Sequence, residues 1–294
     1  MSTNTTIAAP ARKKKKSMLV LTVKRIFKNK VSMIGCIVLG LIIIISILAP
    51  LIAPYSPTYM DYTSVNCTFS AKHLMGCDNL GRDILSRILY GGRYSLALGF
   101  ICAIVGAFLG IFFGSLVGFA GGHVDMVVMR ICDIASAIPG MLLSILISTA
   151  LGSGFFNTIL AMTIGGIPGS VRASRAMALR EREMEYLEAA EANNCSKFKI
   201  VFKHMMPNIV SPTIVSTTMM IGNTIMSAAG LSYIGLGIQP PTAEWGAMLS
   251  DARSYIMTYP HMMIWPGLAI LVTVLATNMI GDGLRDALDP KLKD

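Results

Sequence analysis

Residues 184–207 read MEYLEAAEANNCSKFKIVFKHMMP, a charged stretch set between two long apolar segments of the chain. Both halves are helical in pattern, and the apolar residues that recur at i, i+3, i+4 and i+7 in the second half are Phe198, Val201, Phe202 and Met205. Between the halves, Asn194 tolerates the left-handed backbone that ends a helix, and Ser196 can cap the next one. We therefore predict a helix, a tight turn and a second helix, with Pro207 where the following segment begins.

These residues resemble the cytoplasmic EAA loop of ABC-importer permease subunits, which docks a short coupling helix into a groove on the ATPase subunit. The resemblance rests on Glu188-Ala189-Ala190, on the turn position Asn194 and on the run from His204 to Asn208. The family usually has glycine at the turn and leucine where Met206 stands, and both changes keep the geometry. Carried over residue by residue, the resemblance implies ATPase coupling for Glu185, Glu188, Ala189, Ala190, Asn194 and Pro207. The alternative is an amphipathic hairpin that lies on the membrane surface.

The composition is that of a membrane protein. Of the 294 residues, 53% are hydrophobic and 14% are charged, whereas about a quarter of the residues in a soluble domain are charged. The formal net charge is +9, and 9 of the 25 Lys and Arg residues lie within residues 1–30. Phe27 is the only aromatic residue in that segment, so the basic tail suits anionic membrane lipid on the cytoplasmic side and not nucleic acid.

Long apolar runs predict an all-α, polytopic membrane protein with six transmembrane helices. The run from Met33 to Ile52 is uncharged for 20 residues, enough to cross a hydrocarbon core of about 30 Å. The Lys/Arg excess of the tail and of the loop between the fourth and fifth spans places both inside the cell, so both termini are expected to be cytoplasmic. The predicted order is a basic tail in 1–30, a first span in 31–53, an external loop with an interfacial helix in 54–93, a five-helix core in 94–282 that includes the coupling loop 171–207, and a cytoplasmic tail in 283–294.

The predicted external loop carries an amphipathic segment and two cysteines. The apolar residues Ile84, Leu85, Ile88 and Leu89 face away from the polar residues Arg82, Asp83, Ser86 and Arg87, which favours a helix at the membrane interface. Cys67 and Cys77 both lie in this loop, and they can form a disulfide where the outside is oxidising. The six cysteines of the chain fit no zinc-binding spacing, so no metal site is predicted.

Glycine, proline and charge mark positions within the next two spans. The glycines that recur every fourth residue in the second span, which predict close packing with another helix, are Gly106, Gly110, Gly114 and Gly118. Arg130 and Asp133 lie at i and i+3 and are expected to pair near the membrane edge. Pro139-Gly140 is expected to kink or interrupt the third span.

The fifth span, residues 209–238, is polar for a membrane helix. Its hydroxyl and amide side chains either bond across helices or line a wet passage for a polar solute. The candidates for a translocation pathway are Ser216, Thr217, Asn223 and Thr224. Beyond the span, Trp245 and Tyr255 are expected to anchor at the membrane interface.

Three further runs extend the resemblance along the chain: GCDNLGRDILSRILYGGR at 76–93, LSYIGLGIQPPTAEWGAMLSDARSY at 231–255 and GDGLRDALDP at 281–290. They are similar to the shorter permease subunit of dipeptide, oligopeptide and nickel importers, with Cys77 where threonine is usual. The resemblance implies the type I ABC-importer permease fold in a bacterial inner membrane. It also implies a heterodimer with a second permease subunit, two ATPase subunits that hold ATP and magnesium, and an external substrate-binding protein. This chain itself is expected to hold no cofactor.

No motif in the sequence points to an enzyme, because GxxxxGK[ST], HExxH and GxSxG are all absent. We therefore expect half of a transport channel for dipeptides or oligopeptides, driven by ATP hydrolysis on partner subunits. The same machinery for nickel or another small solute is one alternative. An ion-coupled secondary carrier is another, but such carriers hold carboxylates near the bilayer midplane, and Asp133 is expected near a membrane edge.

Overall fold

The structure is a computed structural model that describes residues 25–288, and every regular element in that range is helical. The named helices are α1 (Lys30–Ile47), α2 (Ile84–Ala120), α3 (Gly122–Ser136), α4 (Gly140–Leu151), α5 (Phe155–Arg182), α6 (Glu185–Ala192), α7 (Met206–Tyr233), α8 (Trp245–Ala252) and α9 (His261–Leu288). Single turns at Ala49–Ile52, Lys197–Lys199 and Arg253–Tyr255 and a π-helix at Ile200–Met205 complete the order. The all-α prediction is confirmed, whereas the basic cluster of the N-terminal tail and the last six residues lie outside the described range.

Four helical segments in the described range are long and apolar enough to cross a membrane. They are α1, α2, α9 and the continuous segment Lys197–Tyr233 that ends with α7. Helices α3 and α4 meet the same test only as a pair, which is bent by 80° at its break, so the predicted interruption at Pro139-Gly140 is confirmed. The described spans therefore number four, or five with the bent pair, and the predicted count of six is not confirmed.

The glycine stripe of the second span brings α2 and α5 into backbone contact. A Cβ added at Gly110 would lie 2.7 Å from the Cβ of Ser170, and one at Gly114 would lie 2.6 Å from the Cβ of Ser174. Real side chains do not approach so closely, so glycine is what allows the two helices to meet. The predicted packing role is confirmed, and α5 continues unbroken through Pro168 to its end at Arg182.

A core cluster joins α1, α2, α7, α8 and α9, and Trp245 belongs to it. The indole is 2% exposed, and its Nε1 donates to the Ile88 carbonyl at 3.0 Å. Glu244 caps α8 by accepting from the N–H groups of Gly246 and Ala247, and it also accepts from the Ser95 hydroxyl at 2.9 Å. The prediction that Trp245 anchors at the membrane interface is wrong, because the ring finds both an apolar core and a carbonyl acceptor inside the protein.

The polar side chains expected on an interfacial helix are buried at the start of α2. Arg82 is 2% exposed and Arg87 is 1% exposed. Arg82 donates to Asp78 at 2.6 Å and to Asp251 of α8 at 2.9 Å. The segment is the first part of the 37-residue helix α2 and not a separate element. Its polar face therefore contacts protein, and the ion pairs connect the loop before α2 with α8.

Arginines of α5 pair with the acidic residues of α3. Arg172 donates to Asp133 at 2.9 Å, and Arg175 makes two hydrogen bonds with Asp125. The predicted pair of Arg130 with Asp133 is therefore wrong. Helix α5 lies opposite α3 and presents the planar guanidinium group, which is well suited to bind a carboxylate.

Candidate functional site

Residues 184–207 adopt the predicted helix, turn and helix. Asn194 follows α6 with φ at +60°, in the left-handed region. Ser196 caps the next turn by accepting from the Lys199 N–H at 3.4 Å. Pro207 lies in the first turn of α7, directly after the π-helix and within the continuous helical segment Lys197–Tyr233. The local geometry predicted for Asn194, Ser196 and Pro207 is confirmed.

A small apolar cluster fastens this turn to the helix bundle. Leu187 of α6 is 2% exposed and packs into the cluster, whose other buried members are Ala178, Ile200, Met205 and Ile209. A polar link adds to it, since the Asn208 amide of α7 donates to the Tyr186 hydroxyl of α6 at 2.8 Å. Helix α6 is thus joined to the end of α5 and to the start of α7, and displacement of α6 acts on both.

The other face of α6 is open to solvent. Four of the predicted coupling residues, Glu185, Glu188, Ala189 and Asn194, are exposed, as is Pro207, while Ala190 is half-buried. The charges are separated along the chain: Glu185, Glu188 and Glu191 are on α6, and Lys197, Lys199 and Lys203 follow the turn. The helix–turn–helix therefore exposes an acidic half and a basic half. Its apolar side packs against the helix bundle.

The second half of the stretch departs from the predicted apolar stripe at Phe198. Val201 and Met205 are buried as predicted, but Phe198 is 72% exposed and packs against Phe202 in a tilted arrangement, with ring centroids 4.3 Å apart. Residues 200–205 form a π-helix, whose wider turn shifts side chains out of the i+3, i+4 spacing of an α-helix. The prediction that Phe198 lies on the buried stripe is wrong for this reason.

Two adjoining cavities lie between α5 and α7. One of about 170 Å³ is lined by Ser216 and Thr217, and the other, of about 230 Å³, by Asn223 and Thr224. Met220 and Gly166 line both cavities, so the two follow one another along α7. All four residues predicted for a pathway are brought together along this helix, and every side chain that lines the cavities is uncharged.

The threonine hydroxyls along this face bond within their own helix. The hydroxyl of Thr217 donates to the Thr213 carbonyl at 2.7 Å, and that of Thr224 donates to the Met220 carbonyl at 2.8 Å. Such bonds satisfy the hydroxyl proton and leave the oxygen lone pairs for another donor. These hydroxyls can therefore accept a hydrogen bond from a polar solute in the cavity without any side-chain rearrangement.

Sequence reasoning missed Met220, which separates the two predicted pairs. A signal for it was present, because residues 216, 217, 220, 223 and 224 recur at i, i+1, i+4, i+7 and i+8, one face of an α-helix. The pathway candidates were selected for hydroxyl and amide side chains, so the thioether of Met220 was not among them. Sequence reasoning also missed the link between Tyr186 and Asn208, two residues 22 positions apart with no shared motif.

The structure combines a bundle of apolar helices, a charged helix–turn–helix that packs against this bundle, and uncharged polar cavities beside α7. These features together define the class of membrane permeases. Comparison with known proteins shows the family. Residues 110–294 match the family described as the inner-membrane component of binding-protein-dependent transport systems, and the chain belongs to that family. Residues 17–71 match the N-terminal transmembrane domain of oligopeptide transport permease C. The chain is a permease subunit of an ABC importer, as its relatives are.

Two of these relatives are glutathione transport system permease proteins GsiD. The chain is 44% identical to the protein of Pectobacterium atrosepticum over 271 residues, which cover 92% of this chain and 90% of the relative. It is also 44% identical to the protein of Escherichia coli O6:K15:H31, of which 89% is covered. Among solved structures, a chain of the MetNI methionine ABC transporter in inward-facing conformations aligns with a TM-score of 0.58 at 19% identity. That alignment covers 70% of this chain and 98% of the MetNI chain, and it supports the permease fold.

Proposed function

We propose that this chain forms half of the transmembrane pathway of an ATP-driven importer for small peptides, and that residues 185–206 seat in a cleft on a cytoplasmic ATPase subunit. The observation that carries the proposal is the arrangement of α6. Its outer face is exposed and charged, while Leu187 on its inner face is buried among residues of α5, α7 and the π-helix. A segment built in this way can receive force from a partner and pass it into the membrane-spanning helices.

The proposed assembly follows from the family. It comprises a second permease subunit, two ATPase subunits that hold ATP and magnesium, and an external substrate-binding protein. We place both termini of this chain on the ATPase side of a bacterial inner membrane. The basic residues of the tail and of the segment around α6 support that orientation, because Lys and Arg are retained on the cytoplasmic side.

In the proposed mechanism, closure of the ATPase subunits displaces α6. The buried cluster around Leu187 transmits that displacement to α7. The π-helix leads directly into α7, so the two form one continuous helical segment after the turn. Both cavities lie along α7, so its movement changes their walls. ATP hydrolysis on the partner is thereby coupled to passage of the solute, and this chain performs no chemical step.

The lining of the two cavities supports a small peptide as cargo. Hydroxyl and amide groups can exchange hydrogen bonds with peptide groups, and the absence of charge from the lining residues avoids trapping a zwitterion at a fixed ion. The names of the relatives, glutathione transport permeases, also agree with a short peptide as cargo. We therefore propose dipeptides and oligopeptides of that size as the substrate class.

Coupling is tested by the double substitution Glu188→Lys and Asn194→Pro, assayed with the complete transporter. Uptake is expected to fall roughly tenfold or more while membrane insertion stays normal, since coupling energies are typically about 1–3 kcal/mol. Lys72→Glu, a charge reversal at an exposed residue in the loop before α2, is the matched control and should transport normally. A cysteine introduced at Ala189 should crosslink to the ATPase subunit. Normal uptake by the double variant, or crosslinks to lipid alone, would support the membrane-surface hairpin instead.

The energy source and the cargo are tested by uptake assays in cells that contain the complete transporter. Deletion of the partner ATPases should abolish uptake of a labelled dipeptide while the ion gradients persist. Uptake that continued would favour an ion-coupled carrier. In competition, dipeptides and glutathione should displace the labelled substrate, whereas displacement by Ni²⁺ alone would assign the importer to nickel.

A further inference from the structure

The loop before α2 brings two thiols and an imidazole together. Donor atoms of Cys67, His73 and Cys77 all lie within 4.8 Å of one another. The two sulfur atoms are 2.7 Å apart, and the structure records both residues as thiols. Cys77 is fully buried and Cys67 is half-buried, so the group lies at the edge of the protein interior.

The backbone holds the two cysteines side by side. The Cys77 N–H donates to the Cys67 carbonyl at 2.9 Å, and the Asn66 N–H donates to the Asp78 carbonyl at 3.0 Å. Gly76, with φ at +81°, makes this approach possible, because a Cβ at that position would lie 2.5 Å from the Cys67 carbonyl oxygen. The backbone therefore brings the two cysteine residues side by side, whichever rotamers their side chains adopt.

Such a cluster can hold a metal ion or form a disulfide, and the described geometry favours the disulfide. A zinc ion bound tetrahedrally by two thiolates, with Zn–S distances of about 2.3 Å, would hold the sulfur atoms roughly 3.8 Å apart. Structural zinc takes four protein ligands, whereas three donors gather here among the described residues. The Nδ1 atom of His73 lies 2.9 Å from Asp83 Oδ1, and both side chains are buried; this bond leaves Nε2 free, so the preference for the disulfide rests on the sulfur–sulfur distance and on the number of ligands.

We propose that Cys67 and Cys77 are joined by a disulfide in the membrane-embedded protein. The two thiols lose two protons and two electrons as the Sγ–Sγ bond forms. A protein or small-molecule disulfide of the outer compartment accepts the electrons and protons and becomes two thiols. The proposal rests on the external placement of residues 54–93 in the proposed function, because disulfides persist in the oxidising compartment.

The bond would act on more than its own loop. Cys77 is followed by Asp78, which accepts from Arg82, and Arg82 also donates to Asp251 of α8. Closing residues 68–76 into a covalent loop therefore fixes one end of an ion-pair network that reaches α8. The disulfide braces this end of the molecule, and reduction should loosen both the loop and α8.

Right-side-out membrane vesicles with the whole transporter provide the test. A membrane-impermeant maleimide is added before or after an impermeant phosphine reductant, and labelled residues are identified by mass spectrometry. Cys67 should be labelled only after reduction, and a non-reduced digest should contain the Cys67–Cys77 cross-linked peptide. Burial raises the pKa of the Cys77 thiol, so Cys67 is the faster reporter. Cys195, beside α6, should be labelled only when the vesicles are opened.

Each other result has a distinct meaning. Labelling of Cys67 without reduction would overturn the disulfide and leave the proposed orientation intact. Labelling only after a metal chelator would overturn it in favour of a bound metal ion. Labelling of Cys67 only in opened vesicles would contradict the external placement itself. In the Cys67→Ser variant, Cys77 should be alkylated after denaturation without any reductant. Hydrogen exchange in residues 66–83 and in α8 should rise on reduction of the native protein but stay unchanged in that variant.

Discussion

The conformation of Asn194 sets the turn between α6 and the helical segment that follows it. With φ at +60°, the residue occupies the left-handed region, which Gly and Asn adopt at low cost. We predict that Asn194→Gly keeps uptake at the level of the native protein. Asn194→Val should reduce it, because a β-branched residue held in that region costs about 1–3 kcal/mol. Uptake is measured together with hydrogen exchange in α6, and equal protection of α6 in both variants would contradict the prediction.

A buried carboxylate provides a second prediction at the residue scale. Glu244 accepts from the N–H groups of Gly246 and Ala247 and from the Ser95 hydroxyl, so Glu244→Ala leaves three donors without their acceptor. The loss of the helix cap and of these bonds should lower the free energy of unfolding by about 2–4 kcal/mol. Thermal unfolding in detergent measures it. Glu183→Ala, at an exposed position, is the control and should change stability by less than about 0.5 kcal/mol.

Residues with local roles were predictable from the sequence, and those with distant partners were not. Asn194 and Ser196 act on a backbone one to three residues away, so their identity suffices to predict the turn. Trp245 bonds to a carbonyl 157 positions earlier, and Arg82 bonds to a carboxylate 169 positions later. Without those partners, an aromatic residue in a loop and a charged helix face both indicate a membrane interface, whereas in the structure Trp245 and Arg82 are buried within the protein.

At the scale of helices, the contact between α2 and α5 depends on the absence of side chains. A Cβ at Gly114 would lie 2.6 Å from Ser174 Cβ and 2.7 Å from the Val171 carbonyl oxygen, whereas nothing lies within 4 Å of one at Gly40. In an open helix, Gly→Ala stabilises by about 1 kcal/mol. We predict this sign for Gly40→Ala and the opposite sign for Gly114→Ala, with a loss of about 1–3 kcal/mol from overpacking.

The measurement for this pair is the thermal midpoint of each variant in the same detergent. Because both substitutions are in helix interiors, intrinsic helix propensity cancels from the comparison and the difference reports on packing. A midpoint that rises in both variants would show that α2 and α5 are not in backbone contact.

Helix breaks were easier to predict than helix continuity. Pro139-Gly140 does separate α3 from α4, because proline and glycine both disfavour the interior of a helix. Pro168-Gly169, by contrast, lies inside α5, where Pro168 is buried. Proline is tolerated in a helix when neighbouring helices surround the gap it leaves. The same pair of residue types thus has two outcomes, and surroundings that the sequence does not contain decide between them.

At the scale of the whole molecule, Arg82 connects the loop before α2 with α8. It is buried and bonded to Asp78 and Asp251, so Arg82→Ala would remove the short bonds to both carboxylates and leave them only the longer contacts with Arg87, at 3.6 and 3.7 Å. We predict a loss of about 3–5 kcal/mol in the free energy of unfolding, the usual effect of breaking a buried ion pair. Arg93→Ala, at an exposed position on α2, should cost less than about 0.5 kcal/mol.

A double-mutant cycle checks that the two partners act together. Adding Asp251→Ala to Arg82→Ala should cost less than the sum of the two single substitutions, because Arg82→Ala has already removed the shorter of the two arginine contacts of Asp251. Strictly additive losses would mean that the contact between the loop and α8 contributes nothing to stability.

The glycine stripe also restricts how this protein can move. Two helices whose backbones touch over several turns cannot slide or rotate against each other. We therefore expect α2 and α5 to move together as one rigid unit. In the proposed mechanism, the solute pathway would therefore have to widen at a different helix–helix contact. The contact between α5 and α7 contains the two uncharged polar cavities, and Met220 lines both of them, so in the proposed mechanism this side chain would control passage from one cavity to the other.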